Sequence, residues 1–584
     1  MRKWQEREET RKRLEKLDFQ ESQQHKIKSL NQQIKKSKKP SFLRQIFFKK
    51  AKPKLEKPKK SVSDIVAPHL ASKSFTITQN QPQRFLPKSK IISKPRISYF
   101  KFLVILKPAI IGLLLVFLVF GVSAGTLYSQ TEDYSKILSL ADKENIFYQD
   151  IGIFKNYQKV FSELLGENGQ KKYLVIFQNP AEARPSGGFM GNFGIISFKK
   201  GNITEFWVKD IYTVRDRMPG AKDPKIASPT GYSRISKYQK FSESNWFADF
   251  PTSAQNIQKI YAEYNGWKTD GVIAIDPVMF IKLLEFSGPI EMSEYKTTFN
   301  SENFWQELHE KIEVDNDFKK GKSTETPKKI LHDLVPKIFQ KISALSFEEK
   351  IEVAKVLLEQ ARQKHFTIYF NNYSAQEAIL KLGFAGELKN NIGDYLNVVK
   401  TNQDNKSSYK VDQKVSLVSN LNAAGILENE LTIQHINNAE SQFPEGPHYC
   451  YLMIYLPQNA EFNSGIILSN NKQVKPFEYK ENGKKVWTIK DFITLPKESN
   501  VIKIKYSVDI GLKQSSVNNL SFLFQKQLGM IKNDFNYRLT LDPKWEFELD
   551  DQQAAGAKIS KNQILYNNQN LENDLMIDFG INNN

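Results

Sequence analysis

One uncharged run, Pro108 to Tyr128 (PAIIGLLLVFLVFGVSAGTLY), constrains this chain of 584 residues more than any other feature. About 20 apolar residues are enough for a helix to cross the roughly 30 Å hydrocarbon core of a bilayer, so the run predicts a transmembrane helix over 108–128. Lysine and arginine precede the run, and Glu132 and Asp133 follow it. The positive-inside rule therefore predicts a single-pass protein of the cell membrane, with a cytoplasmic N-terminus and an extracytoplasmic C-terminal domain.

A cleaved signal peptide is the competing interpretation of the run. We prefer an uncleaved anchor, because the run begins more than 100 residues after Met1 and is longer than the apolar centre of a signal peptide.

Charge divides the chain at the same place. Residues 1–107 contain 29 Lys and Arg against 8 Asp and Glu, whereas residues 108–584 contain 55 against 56. The net charge of +20 therefore belongs to the tail and does not indicate nucleic-acid binding by the outer domain. A composition rich in Lys, Pro and Ser predicts that the basic cytoplasmic tail is largely disordered. Anionic lipid is its expected partner, with RNA or a cytoplasmic protein as alternatives.

Hydrophobic periodicity predicts the fold class of the outer part. Helical patterns over 129–170 predict a stalk. From residue 171, apolar strands such as KYLVIFQ and DGVIAID alternate with helical segments such as PVMFIKLLEFSG, which predicts an α/β domain over 171–404. Strands without long helices follow, which predicts an all-β sandwich over 405–584, of roughly immunoglobulin type with about seven strands.

Local signals predict how individual elements begin and turn. Lys199 to Asn202 (KKGN) predicts a hairpin turn. Asp276 before a proline is expected to cap the helix that follows it. Thr252 or Ser253 is expected to cap the helix SAQNIQKIYAEY.

The segment Gln178 to Phe189 (QNPAEARPSGGF) is the most informative motif for function. Arg184 and free backbone N–H groups near Asn179, Gly187 and Gly188 could bind an anion. The structural alternative is a strained turn between two strands, with Arg184 paired internally. Asn245 and Trp246 are further candidates for ligand contact, and the start of a helix is their structural alternative.

Several blocks of the chain resemble one bacterial family, the domain of unknown function 4012 (DUF4012). They run in order from about Tyr173 to Leu541, and they are NPAEARPSGGFMGNFGIISFKKGNITEF, NWFADFP, TDGVIAIDPVMFIKLLEFSGPI, GDYLNVVKTNQDNKSSYKV and FLFQKQLGMIKNDFNYRLTLDP. This resemblance identifies the domain and implies no activity.

The order of strands and loops is also similar to the LytR-CpsA-Psr family of cell-wall ligases. That resemblance implies transfer of a glycopolymer from a polyprenyl pyrophosphate to the envelope, with Mg²⁺ as cofactor. It assigns catalytic roles to Arg184, Asp210, Arg215, Asp216 and Arg217, with Asp210 and Asp216 as metal ligands. The chain departs from the family pattern at Gly187, which stands where the family has a metal-binding Asp.

Two alternatives to this chemistry stay open. The segment VRDR, which contains Arg215 to Arg217, reads equally well as a solvated surface turn with local ion pairs. For the whole outer part, the alternative to the transferase is a non-catalytic envelope scaffold that binds a glycan or a protein through the same cleft or through the sandwich.

No transition metal is expected from the sequence. The seven histidines form no HExxH motif, and the single Cys450 provides no familiar zinc set. A lone cysteine also excludes an intrachain disulfide.

Overall fold

A five-stranded mixed sheet forms the centre of the α/β part of the protein. The computed structural model describes residues 156, 159–214, 225–266, 268–314, 329–442, 444–512, 518–531, 533–548 and 556–583. The strands of the α/β part are β1 Lys171–Arg184, β2 Gly187–Lys199, β3 Asn202–Asp210, β4 Ile226–Ala227, β5 Tyr238–Gln239, β6 Gly271–Ile275, β7 Ile290–Met292, β8 Thr297–Phe299 and β9 Phe366–Phe370. The central sheet has the order β3-β2-β1-β6-β9, in which only β1 and β6 pair in parallel.

Helices cover both faces of this sheet. They are α1 Thr230–Ser233, α2 Phe250–Asn265, α3 Pro277–Ser287, α4 Phe304–His309, α5 Lys329–Ser343, α6 Phe347–Arg362 and α7 Tyr373–Lys381. Alternate residues of β1 face opposite sides, as a strand requires. Val175 points into the core formed with α3, α5, α6 and α7, while Leu174 points into the core formed with α2. Val160 and Leu164 join the first core, so this end of the predicted stalk packs on the α/β part.

The chain then forms two large sheets, which we call the two-sheet region. Its strands are β10 Gly393–Val399, β11 Val411–Leu421, β12 Ile426–Asn437, β13 His448–Leu456, β14 Glu461–Ile467, β15 Lys472–Gln473, β16 Phe477–Glu481, β17 Lys484–Thr494, β18 Ser499–Asp509, β19 Asn518–Phe524, β20 Asn533–Leu541, β21 Trp545–Glu548, β22 Lys558–Ser560, β23 Gln563–Leu571 and β24 Leu575–Asn583. A seven-stranded sheet (β16-β17-β13-β10-β19-β24-β21) faces an eight-stranded sheet (β15-β14-β18-β12-β11-β20-β23-β22). The two sheets share one hydrophobic core.

An aromatic core joins the two-sheet region to the α/β part. The other face of the seven-stranded sheet contributes Tyr395, Tyr451 and Tyr455, and the segment before α2 contributes Tyr232 and Trp246. Each of these five residues is buried. The two parts are therefore packed against each other through a continuous apolar contact.

The sequence predicted the coarse organisation correctly: a mixed α/β part precedes a β-rich C-terminal region. The prediction of about seven strands was wrong, because the two sheets contain seven and eight strands. Strand β10 lies before the boundary expected near residue 405, yet it pairs with β13 and β19 of the two-sheet region. Among the described residues no helix has the length and apolar character to cross a bilayer, and the run 108–128 and the basic tail lie outside the described residues.

Candidate functional site

The tip of the β1–β2 hairpin carries the motif that the sequence singled out. β1 ends at Arg184 and β2 begins at Gly187, so two residues form the turn. An added Cβ at Gly188 would lie 2.2 Å from the carbonyl carbon of Asn179. Gly187 has a φ of +127°, and an added Cβ there would lie 2.3 Å from Oε1 of Gln178. The paired glycines therefore serve the close packing of the hairpin itself.

The guanidinium of Arg184 is enclosed at this tip. Its Nε and Nη2 donate to the two carboxylate oxygens of Glu243 at 3.0 and 3.2 Å, and its Nη1 donates to the backbone oxygen of Asn402 at 2.5 Å. The ring centroids of Phe189 and Trp246 lie 5.2 and 5.7 Å from its Cζ, and the residue is only 4% exposed. Burial favours a lower pKa for Arg184, but the Glu243 carboxylate outweighs it and the pKa is raised. The guanidinium thus stays charged, paired and away from solvent.

Glu243 also holds the neighbouring aromatic residue. Its Oε2 accepts a hydrogen bond from Nε1 of Trp246 at 2.9 Å, and the Trp246 ring packs on Tyr232 with centroids 4.7 Å apart. Nδ2 of Asn245 donates to the backbone oxygen of Gly188 at 2.8 Å. Both Asn245 and Trp246, which the sequence offered as ligand contacts, have partners within the fold.

The hairpin tip is fastened to the two-sheet region. The backbone N–H of Asn402 donates to the oxygen of Ala183 at 3.0 Å. Lys406 forms an ion pair with Glu182. A cavity of about 120 Å³ lies under the tip and includes Gly187 in its lining. It is smaller than the roughly 300 Å³ at which ligand pockets usually begin.

The second loop of the predicted site is described only at its start. Asp210 is the last residue of β3, and its backbone oxygen accepts a hydrogen bond from Oγ1 of Thr213 at 2.7 Å. The other predicted residues of this loop, Arg215, Asp216 and Arg217, lie outside the described residues. Within the described part of the chain, Arg184 pairs with Glu243 and not with Asp210.

An open groove crosses the outer face of the eight-stranded sheet. It has a volume of about 610 Å³ and lies over β11, β20, β23 and β22. The register places its outward-facing side chains in two rows. One row contains Val418, Arg538, Leu565 and Lys558, and the other contains Ser416, Asn536 and Asn567.

The side chains of the groove are suited to a polar, anionic ligand. Arg538 and Lys558 supply positive charge, and Asn536 and Asn567 supply amide donors and acceptors. Leu565 is 42% exposed between them and offers an apolar surface. No motif marked this groove in the sequence. The available signal was the alternation of buried and polar residues along NDFNYRLTL and QILYNNQNL.

Comparison with protein families finds a match for one segment of the α/β part. Residues 168–312 match the family model described as a protein of unknown function, DUF4012. The match covers about a quarter of the chain. The match includes both the hairpin tip and the Asn245–Trp246 segment, so the family predicted from these blocks is confirmed over that range.

Similarity to solved structures is weak. A Legionella pneumophila protein described as nutrient-binding is 12% identical, with 33% of this chain and 73% of that chain covered and a TM-score of 0.25. Yeast LTA4 hydrolase is 10% identical, with coverages of 30% and 29% and a TM-score of 0.19. An M1 zinc metallopeptidase from Deinococcus radiodurans is 11% identical, with coverages of 30% and 42% and a TM-score of 0.18. These scores support no argument about fold or activity.

Among curated proteins, none matches this sequence.

Proposed function

We propose that this protein is a membrane-anchored, extracytoplasmic cell-envelope protein that binds an anionic envelope glycopolymer without transforming it. The enclosed ion pair between Arg184 and Glu243 carries the proposal. A pyrophosphate transferase needs cationic side chains that neutralise the phosphates of its substrate. Arg184 would be one of these side chains. Breaking a buried pair costs about 3–5 kcal/mol, because it leaves an uncompensated charge. Arg184, which also donates to the backbone oxygen of Asn402 in the two-sheet region, is therefore better suited to a structural role than to binding a substrate.

The groove of the eight-stranded sheet is the surface that we assign to the glycopolymer. Sugar hydroxyls need both hydrogen-bond donors and acceptors, which the amides of Asn536 and Asn567 provide. Acidic groups on the polymer would pair with Arg538 and Lys558. An open groove suits a long chain better than an enclosed pocket does, because the polymer can enter from the side.

The anchor belongs to the proposal as well. The run 108–128 would hold the chain in the membrane, and the basic tail would rest on anionic lipid at the cytoplasmic surface. Both segments lie outside the described residues, so their support is the sequence alone.

The alternative is a Mg²⁺-dependent phosphotransferase of the LytR-CpsA-Psr type. In that case Asp210 and Asp216 would hold the metal, and Arg184, Arg215 and Arg217 would hold a polyprenyl pyrophosphate. This alternative requires Arg184 to leave Glu243 in the substrate complex.

Co-sedimentation of the full-length, detergent-solubilised protein with insoluble bacterial sacculi that retain their anionic polymers tests the glycan proposal. Arg538→Gln should weaken binding about tenfold, since a hydrogen bond to a charged group is worth about 1.5–3 kcal/mol. Lys505→Gln is the matched control, because Lys505 lies on β18 of the same sheet and outside the groove. Equal loss in both variants would indicate binding by net charge alone. Failure of the wild-type protein to sediment, or unchanged binding by Arg538→Gln, would contradict the proposal.

A further inference from the structure

Two histidines and the single cysteine meet inside the two-sheet region. His435 lies on β12 of the eight-stranded sheet, whereas His448 and Cys450 lie on β13 of the seven-stranded sheet. One ligand atom from each residue lies within 4.8 Å of the other two. The three residues are at most 1% exposed. They therefore face one another across the space between the sheets.

Each histidine is held by one ring nitrogen and leaves the other unpaired. Nε2 of His435 lies 2.9 Å from Oε1 of Gln413, and Nε2 of His448 lies 3.4 Å from Oγ of Ser408. Nδ1 of both rings has no hydrogen-bond partner among the described residues. This is the arrangement of metal-binding histidines, in which a neighbour fixes one nitrogen and the other is presented to the ion.

Two more buried polar atoms near the histidines are without partners in the described part of the chain. Asn500 stands opposite His435 in the β12–β18 register, and Thr494 stands opposite His448 in the β13–β17 register. Directly opposed residues of an antiparallel pair point to the same face. Oδ1 of Asn500 and Oγ1 of Thr494 are both buried and unpaired. The histidines and their cross-strand neighbours thus contribute four unsatisfied atoms.

Four unsatisfied buried polar atoms so close together need a physical explanation. An unsatisfied buried donor or acceptor costs about 1–3 kcal/mol, and native proteins contain few of them. A ligand that takes up several of these atoms would remove most of the cost. Two imidazole nitrogens and one thiol sulfur are donors that suit zinc.

We propose that His435, His448 and Cys450 bind a zinc ion that joins the two sheets. Zinc–nitrogen bonds of about 2.0–2.1 Å and zinc–sulfur bonds of about 2.3 Å place tetrahedral ligands about 3.4–3.6 Å apart. From separations of at most 4.8 Å, the three ligand atoms would have to approach one another by up to about 1.4 Å, which side-chain rotation can supply. An oxygen donor, either Oδ1 of Asn500 or a water molecule, would occupy the fourth position.

The surroundings of Cys450 bear on this site. Burial raises the pKa of the Cys450 thiol to about 12, although a backbone hydrogen bond from Thr401 and the charge of Lys400 favour the thiolate, which is the form that binds a metal. Lys400 is the cation that faces the cluster, and its Nζ donates to the backbone oxygens of Ser408 and Val411. The site is independent of the glycan-binding groove, which lies on the opposite face of the eight-stranded sheet.

The first test uses Co²⁺ as a spectroscopic substitute for zinc in the full-length protein. The metal-depleted protein is titrated with Co²⁺, and the near-ultraviolet absorption from thiolate-to-cobalt charge transfer is recorded. We expect this band to saturate at one Co²⁺ per chain and to disappear when one equivalent of Zn²⁺ is added. A folded wild-type protein that shows no such band would overturn the proposal.

Variants and metal content provide the second test. Cys450→Ala should abolish the band and reduce bound zinc at least tenfold, while His332→Ala, which changes an exposed histidine paired with Asp333, should leave both unchanged. If Cys450→Ala does not fold, Asn500→Asp serves as the second variant, because it places a carboxylate at the fourth position and should tighten zinc binding. Equal zinc in the wild-type protein and Cys450→Ala would contradict the site.

Discussion

At the scale of single residues, Arg184 illustrates why a site cannot be read from residue types alone. An arginine beside paired glycines is equally suitable for a phosphate and for an internal carboxylate. The deciding partner, Glu243, lies 59 residues further along the chain, and no spacing rule connects the two. The sequence offered internal pairing of Arg184 as one of two interpretations, and it had no signal for the partner. The same holds for His435, which the facing of the two sheets brings to His448 and Cys450 of β13.

Removal of Arg184 should destabilise the folded protein. Arg184→Ala leaves Glu243 buried without its partner, so we expect the free energy of unfolding to fall by about 3–5 kcal/mol. The double variant Arg184→Ala/Glu243→Gln should lose less than the sum of Arg184→Ala and Glu243→Gln, because it leaves no isolated charge. Urea denaturation of the three variants measures both effects. A loss below about 0.5 kcal/mol for Arg184→Ala would be typical of an ordinary surface position and would contradict the structural role.

Glu481 predicts a pH dependence. Burial raises the pKa of this carboxyl to about 7, although it accepts hydrogen bonds from Tyr455 and Tyr479. The folded state therefore holds the proton more tightly than the unfolded state. The resulting stabilisation is complete below about pH 4.5 and is lost as the pH rises through about 7. Between pH 5 and 8 the wild-type protein should lose about 2 kcal/mol more than Glu481→Gln. Parallel pH profiles for the two proteins would show that Glu481 does not titrate in this way.

At the scale of elements, the sequence rules for turns and helix caps succeeded where neighbouring residues alone determine the local structure. The turn after β2 has positive φ at Lys200 and Gly201, as the predicted hairpin requires, and Asp276 caps α3 by accepting from the backbone N–H of Val278. Local rules failed for α2. Thr252 or Ser253 was expected to cap it, but the cap is Asp249, because Pro251 is accepted in the first turn and the helix begins earlier.

The cap of α2 provides a prediction at this scale. Oδ2 of Asp249 accepts from the backbone N–H of Thr252 at 3.0 Å, and its Oδ1 accepts from the N–H of Leu388 at 2.9 Å. Asp249→Ala removes both bonds and should lower stability by about 2 kcal/mol. Thr252→Ala keeps the backbone donor and should cost less than half of that. Thermal unfolding compares the two variants, and a larger cost for Thr252→Ala would point to the cap that the sequence suggested.

Strand β10 marks the limit of sequence interpretation for elements. Its sequence, GDYLNVV, contains no local signal for the sheet that it joins. Its partners are β13 and β19, and the parallel pairing with β19 connects residues more than 100 positions apart. The predicted boundary near residue 405 was placed where helical patterns give way to successive strands. The pairing of β10 depends instead on long-range contacts.

At the scale of the whole molecule, the structure predicts that the α/β part and the two-sheet region unfold together. Besides the aromatic core and the hydrogen bond from Arg184 to the backbone oxygen of Asn402, Asp574 in the two-sheet region binds Lys364 at 2.6 Å and Lys389 at 2.9 Å. These three connections bury charge and apolar surface that would be exposed if either part opened alone. Near- and far-ultraviolet circular dichroism should therefore report the same unfolding midpoint.

Asp574 tests this coupling and its pH dependence. Burial favours a higher pKa for Asp574, but Lys364 and Lys389 outweigh it and lower the pKa to about 2. Its stabilising effect is therefore complete above about pH 3.8 and is lost as the pH falls through about 2. Asp574→Asn should lower stability at pH 7 by about 3 kcal/mol and weaken the acid dependence between pH 4 and 2. An unchanged acid profile would contradict the assignment.

The central claim is that Arg184 has a structural role at the hairpin tip and does not bind substrate. The most direct measurement is binding of a polyprenyl pyrophosphate analogue to the full-length protein, with and without Mg²⁺, for the wild type and for Arg184→Lys. Lysine keeps the charge but loses the bidentate geometry of the pair with Glu243. We predict no Mg²⁺-dependent binding by the wild type and a loss of stability in Arg184→Lys. Tight, Mg²⁺-dependent binding by the wild type that a folded Arg184→Lys protein lacks would contradict the account and favour the phosphotransferase.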